Sequence, residues 1–265
     1  MRSLGGSLRK QTKDTGEFLP DIFRPMADAK MRARLGTCTF IVGPAGAMKT
    51  ALALYYLLRL GLPTLYLSAD AEDFEMDERA AAAISGDTME EVRRNPERYR
   101  DMVQQNASHI RLVFEDSPTY QDLELEVAAY AEVHGAFPTV IAIDNLMNLT
   151  GENENEWAGM RDSARVIHRL TRITKAAVFV LHHAADDRTD PSTPAPRSKL
   201  QGKISQLPKA IWSLALAEDR LRIAAVKNRW GGADPSGQNY IELFVTPSNS
   251  RFYQSKLDML SGRPA

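Results

Sequence analysis

Phe40-Ile41-Val42-Gly43-Pro44-Ala45-Gly46-Ala47-Met48-Lys49-Thr50 decides how the rest of the chain is read. Three apolar residues enter a glycine-containing turn that ends in Lys-Thr. Ala51-Leu52-Ala53-Leu54-Tyr55-Tyr56-Leu57-Leu58 then reads as a helix. Strand, loop and helix in this order are the context that a phosphate-binding loop needs. The backbone of Gly43, Pro44, Ala45, Gly46, Ala47, Met48, Lys49 and Thr50 would wrap the phosphates at a helix N-terminus, where free N–H groups and the helix dipole favour anions. Lys49 would reach the β/γ-phosphates and Thr50 would ligate Mg²⁺ through its hydroxyl. Met48 stands where the pattern G-x-x-x-x-G-K-[ST] has its last glycine. It is tolerable there if its side chain points away from the nucleotide.

Working outward, Thr64-Leu65-Tyr66-Leu67-Ser68 is a short apolar strand followed by Asp70, Glu72 and Asp73. Ligands of open parallel sheets bind beyond the carboxyl ends of the strands, so a carboxylate here is placed to orient a water. Thr139-Val140-Ile141-Ala142-Ile143-Asp144 is a continuous apolar run ending in an Asp, the pattern of a buried parallel strand with a carboxylate at its tip. Asp144 would hold Mg²⁺ through a water or through Thr50. Ile110–Phe114 and Ala177–Leu181 are further strands, the latter ended by His182-His183. Thr88–Gln105 reads as an exposed helix or helix pair, and Tyr120–Val133 as an amphipathic helix with Leu123, Val127 and Tyr130 on one face. A further helix spans Ala158–Lys175. Asp186–Lys203 is a proline-containing loop with Arg188, Arg197, Lys199 and Lys203, a charge pattern that suits a phosphate backbone and equally a solvated loop. Ala210–Leu216 with Leu221–Val226, and Tyr240–Val245 with Ser250–Tyr253, form a closing β region.

The 265 residues, 43% hydrophobic, suffice for one large α/β domain with short extensions. A formal net charge of -1 gives no global basic excess, so any contact with nucleic acid must use local patches. The single cysteine, Cys38, excludes an internal disulfide, fits a reducing compartment, and reads as buried and inert. No apolar run approaches a membrane span, and the basic Arg2, Arg9 and Lys10 are not followed by the apolar stretch of a signal peptide. A soluble cytoplasmic protein is expected, in the host cytoplasm if phage-encoded. Residues 1–17 read as mobile. Residues 18–34 read either as an arm folded on its own domain or as one docking on a neighbouring subunit. The tail from 254 to 265 reads as flexible.

These motifs together resemble the RecA-like P-loop ATPases, in particular the core of DnaB-type replicative helicases and their phage relatives, over residues 35–253. Gly43–Thr50 is similar to Walker A and Asp144 closes a strand similar to Walker B. Leu65-Tyr66-Leu67-Ser68-Ala69-Asp70 resembles the family strand that ends in the catalytic glutamate, with the shorter Asp70 in its place and Glu72 as a substitute. His182 is similar in place to the residue that senses the γ-phosphate. Gln201-Gly202-Lys203-Ile204-Ser205-Gln206 resembles the turn after the DNA loop. Val226-Lys227-Asn228-Arg229-Trp230-Gly231 is the most specific match, and in the family its lysine and arginine reach a neighbour's γ-phosphate.

The resemblance implies a central, mostly parallel sheet flanked by helices with a C-terminal antiparallel extension. It implies ATP and Mg²⁺ as cofactors, single-stranded DNA as partner, and a homo-oligomer, most simply a ring of six. Lys49, Asp70 or Glu72, Asp144, His182, Lys227 and Arg229 would be catalytic, and Arg188, Arg197, Lys199 and Lys203 would contact DNA. The family's N-terminal helical domain and a primase zinc finger are not expected in this chain. Three other readings compete. One is a recombinase-like filament or mediator on the same fold. Another is a metal-dependent nuclease using His182, His183, Asp186, Asp187 and Asp190. The last is a DNA-binding scaffold in which Met48 and Asp70 have cost it turnover.

Overall fold

The computed structural model describes residues 16–69, 71–115, 117–148, 156–184, 190–200 and 205–265. One nine-stranded sheet runs through them in the order β3-β2-β4-β5-β1-β6-β7-β8-β9. Its strands are β1 (Cys38–Gly43), β2 (Thr64–Ser68), β3 (Ile110–Phe114), β4 (Val140–Asp144), β5 (Ala177–His183), β6 (Ala210–Ala217), β7 (Arg220–Asn228), β8 (Tyr240–Thr246) and β9 (Arg251–Tyr253). β3 to β6 in that spatial order are parallel, and β7, β8 and β9 continue the sheet antiparallel.

The apolar runs explain which strands are central. β1, β2 and β4 are buried along their whole length, as expected when helices cover both faces of a parallel sheet. Side chains alternate between two core layers. Ile41, Tyr66, Ala142 and Phe179 face one, and Phe40, Val42, Leu65, Ile143 and Val180 face the other. α2 (Lys49–Leu60) and α3 (Asp73–Ser85) pack on the first face, α6 (Tyr120–His134) and α7 (Glu156–Thr174) on the second. α4 (Met89–Arg94) and α5 (Arg100–Asn106) form a small outer layer against α3. The helix ends carry local signals. Gly61 and Gly86 close α2 and α3 in the left-handed conformation, and Thr88 with Glu91 and Thr119 with Asp122 form capping boxes.

Residues 18–34, with the short α1 (Arg24–Asp28), lie on their own domain: Leu19, Phe23, Met26 and Met31 are buried in the first core layer. The C-terminal segment differs from the flexible tail expected of it. Ser255 caps α8 (Lys256–Leu260), and Ala265 is held by Phe252 O and by the Tyr55 hydroxyl at 3.0 and 2.8 Å. The signal for this return is weak because Leu257 and Leu260 stay exposed and the anchoring is by backbone. Among the described residues no helix is long and apolar enough to cross a membrane.

Candidate active site

Parallel strands put their carboxyl ends on one edge, and four of them converge there. Ser68 on β2 lies in register with Asp144 on β4, and Gly43 on β1 with His183 on β5. β1 leaves the sheet at Gly43, where an added Cβ would come within 3.0 Å of Ala47 Cβ and 3.1 Å of the Leu214 carbonyl oxygen on β6, so a side chain there would have to push its neighbours back by a few tenths of an ångström. The loop turns again at Gly46 (φ 73°) and enters α2 through Met48, which is left-handed at φ 59°, ψ 29°. That is a second physical reason for the glycine that Met48 replaces: the position demands positive φ, which costs a residue with a Cβ about 1–2 kcal/mol. The Met48 side chain packs on the first core layer, which keeps it out of the cradle.

Lys49 is 8% exposed and bends back into the loop, donating to Gly43 O and Pro44 O at 3.2 and 2.9 Å. Thr50 Oγ1 donates to Asp144 Oδ2 at 2.7 Å, and the Tyr66 hydroxyl donates to the same oxygen at 2.8 Å. Asp144 is 1% exposed. A hydroxyl and a carboxylate in contact at the foot of a helix N-terminus are the hard oxygen donors that Mg²⁺ takes, and the N–H groups of α2 supply the anion site. Thr50 and Asp144 therefore fit the metal and the Gly43–Thr50 loop fits the phosphates.

The remaining candidates fall in three places. Asp70, Asp186, Asp187, Arg188 and Lys203 lie outside the described residues. Glu72 is exposed at the N-cap of α3, just past the tip of β2. His182 and His183 continue β5 rather than ending it. Alternation along the strand sends His182 to the α7 side, where it is fully buried (0% exposed) near Phe40. His183 faces the α2 side, with Nε2 3.4 Å from Asn145 Nδ2. Among the described residues no group of three or more His, Cys, Asp or Glu is placed to hold a metal ion, and Asp190 is engaged with Ser192 and Thr193.

Lys227 and Arg229 stand at the other end of the sheet. Lys227 on β7 is level with Ile211, which is level with Phe40; Asn228 is level with Ala210 and Thr39. From these levels Gly43 is roughly 10 Å of strand beyond Lys227 and roughly 13 Å beyond Asn228, so both cations stand away from the phosphate loop of their own chain. Lys227 Nζ donates to Ser205 O and Gln206 O at 2.7 and 2.9 Å. Burial, and after it the charges of Arg197, Arg229 and Lys209, lower its pKa to about 8. The Arg229 side chain is exposed, with its N–H on Lys209 O at 3.1 Å. Arg197 and Lys199 sit on a 3-10 turn, which the Ala184–Leu200 bridge attaches beside the end of β5.

Residues 31–189 match the AAA domain family. The chain belongs to the AAA domain family. It is similar to the Gene 65 protein of Mycobacterium phage L5, with 30% identity over 240 residues that cover 86% of this chain and 90% of the relative. It is also similar to the Gene 65 protein of Mycobacterium phage D29, with 30% identity over 213 residues, 76% of this chain and 91% of the relative. In fold it matches a solved ATPase domain with TM-score 0.81 and 14% identity, over 97% of this chain and 100% of that one. A DnaB-like replicative helicase, solved in a study of its interactions with primase, matches with TM-score 0.79 and 14% identity over 95% of this chain and 67% of that one. This AAA family member thus has the RecA-like fold of DnaB-type ATPase domains, with the antiparallel strands at its C-terminal end.

Tyr66, Asn145, His183 and Lys209 of this AAA family member were not singled out from sequence as parts of an ATPase site. Tyr66 offered one signal. Strand alternation puts it on the α2 face of β2, one strand away from Asp144.

Proposed function

We propose that this chain is a Mg²⁺-dependent ATPase that assembles into a ring and moves along single-stranded DNA, in phage-type replication or recombination. The observation that carries the reading is the contact between Thr50 and Asp144 at 2.7 Å beside a buried Lys49. Lys49 would leave the Gly43 and Pro44 carbonyls for the β/γ-phosphates, an exchange of two neutral acceptors for charged ones. Thr50 and Asp144 would hold Mg²⁺, which when bound neutralises charge on the phosphates. Tyr66 keeps the Asp144 carboxylate aimed at Thr50. Asp70 or Glu72, past the tip of β2, orients the attacking water.

At the tip of β5 the sensing role falls on the His182–His183 pair. His183 looks towards the loop through Asn145, and the buried His182 fixes the strand end. Lys227 and Arg229, out of reach of their own loop, act on the phosphate of the next subunit, so that turnover requires assembly. Arg197 and Lys199, with Arg188 and Lys203, contact the DNA backbone.

The test is ATP hydrolysis by wild type and Lys49→Ala, with and without single-stranded DNA, alongside the mass of the assembly. DNA-stimulated turnover in a ring-sized oligomer, lowered at least about 100-fold by Lys49→Ala, is the expected result. Hydrolysis that ignores DNA, or that survives Lys49→Ala, overturns the reading.

A further inference from the structure

The strand that carries Lys227, with Arg229 just past its end, is fastened there to the arm of residues 18–34. β7 closes at Asn228. Asn228 Nδ2 donates to Lys30 O at 2.9 Å, and Asn228 Oδ1 accepts the Trp230 N–H at 3.0 Å. The indole of Trp230 meets the Phe18 ring edge-on, with centroids 6.0 Å apart and planes at 90°. The Arg34 guanidinium lies over both rings, at 5.3 and 5.9 Å. Arg32, held by Asp21 at 2.8 and 2.5 Å, approaches Phe18 at 5.9 Å. A Cβ at Gly231 would lie 2.7 Å from Lys30 Cβ, so the chain passes the arm where only glycine fits.

The arm is itself immobilised. Phe23 and Met26 are buried in the core, Leu19 N donates to Ala33 O at 2.9 Å, and Phe18 pairs with Arg34 in an antiparallel bridge. The Arg229 backbone is therefore held by Lys209 O at its own N–H and by the Asn228–Trp230 turn around it, while its side chain is exposed.

We propose that the arm and the Asn228–Trp230 turn form a latch that positions Arg229 for a neighbouring subunit's phosphate, with Phe18, Asn228 and Trp230 as positioning residues. This rests on the reading of Arg229 as a cation acting across an interface. A long side chain reaching into another subunit keeps its aim only if its Cα is fixed, because misplacement by about 1 Å can cost as much as 100-fold in rate. The aromatic contact is suited to that task. Edge-on rings with a guanidinium above them hold an orientation as well as a distance.

The test uses the full-length chain in its assembled state. Phe18 is 42% exposed, so Phe18→Leu removes the arm's half of the ring contact without opening the core. Asn228→Ala removes the bond to Lys30. Turnover, binding of a fluorescent ATP analogue, assembly mass and thermal midpoint are measured for each, for Arg229→Ala, and for the double variants. Phe18→Leu and Asn228→Ala should lower kcat roughly fivefold to tenfold with analogue affinity and assembly mass unchanged. Phe18→Trp, which retains an edge for the indole, should restore kcat. Each double variant with Arg229→Ala should turn over no more slowly than Arg229→Ala alone, because residues that act through one group are not additive.

Full kcat in Phe18→Leu, or losses that multiply with that of Arg229→Ala, would overturn the latch while leaving the cation's role across the interface intact. Full turnover in Arg229→Ala would instead remove the reading on which the latch rests.

Discussion

The edge that carries the phosphate loop and the far end of the β6–β7 pair both present charge suited to phosphate, but they hold it in opposite ways. At the loop the charges are internally matched. Lys49 is seated on two carbonyls and Asp144 accepts two hydroxyls, all buried or half-buried. At the far end Lys209 and Arg229 are joined through the backbone, burial and after it neighbouring positive charge depress the Lys227 pKa, and the Arg229 side chain is exposed. Like charges gathered at a surface raise the energy of each other's ionised form, and an anion from elsewhere would relieve that. The first region is matched within the chain; the second, on the reading proposed above, is completed by a neighbour's phosphate.

Mixing subunits breaks this comparison most directly. Lys49→Ala lacks the loop cation and Arg229→Ala the far-end cation, and each alone should turn over at least about 100 times more slowly than wild type. In a head-to-tail assembly the intact loop of an Arg229→Ala subunit meets the intact Arg229 of a Lys49→Ala subunit. An equal mixture should then recover up to about a quarter of the wild-type rate, the share of interfaces that pair two intact halves. Recovery is measured after co-assembly from dissociated subunits. A mixture no faster than its components would mean that both cations serve the same subunit, against the distance along the strand.

The pH dependence sharpens the comparison with a smaller effect. Lys227 has a folded pKa lowered to about 8 by burial and by its cationic neighbours, so its charged form is present below that pH and lost as pH rises through it. Turnover at saturating ATP should fall by several-fold between about pH 8 and pH 9, since at one unit above the pKa about a tenth of the ammonium remains. Lys227→Arg should hold its rate over the same window, because a guanidinium stays charged there. A wild-type profile flat to about pH 9 would take Lys227 out of the reaction and leave Arg229 alone at that end.

The two regions also differ in how readily the sequence discloses them. Local chemistry marks the loop edge. A glycine turn before Lys49-Thr50 and an apolar run into Asp144 each declare a strand tip, and Ile110–Phe114 is a strand with the bounds its residues suggest. Contacts distant in sequence are not written locally. Tyr66 reaches Asp144 across 78 positions, and Asn228 reaches Lys30 across 198. His182 and His183 show how one residue of strand matters. With β5 extending through both, the side-chain period of two exchanges which of them faces the loop. The arm of residues 18–34 is held by the apolar anchors Leu19, Phe23, Met26 and Met31, with the five-residue α1 as its one helix, and nothing local in the sequence says on which domain those anchors are buried.

Met48 gives the smallest effect and tests why the loop edge can depart from its pattern. Three terms compete there. Replacing Met48 by Gly relieves the left-handed backbone, worth about 1–2 kcal/mol, but it frees the unfolded chain at a cost of about 0.4–1 kcal/mol. It also gives up the packing of a half-buried Met on the core, a loss of about 1–2 kcal/mol. At mid-range the sum is a net loss of under about 1 kcal/mol, which is why methionine survives at a position built for glycine. Met48→Ala has no such compensation. It keeps the strained backbone and loses the packing, so it should cost about 1–2 kcal/mol. Urea unfolding should therefore rank Met48→Ala as less stable than Met48→Gly, although alanine is elsewhere the better helix former. The reverse order would mean that the backbone of residue 48 is not held left-handed in solution, and that packing alone seats the loop on α2.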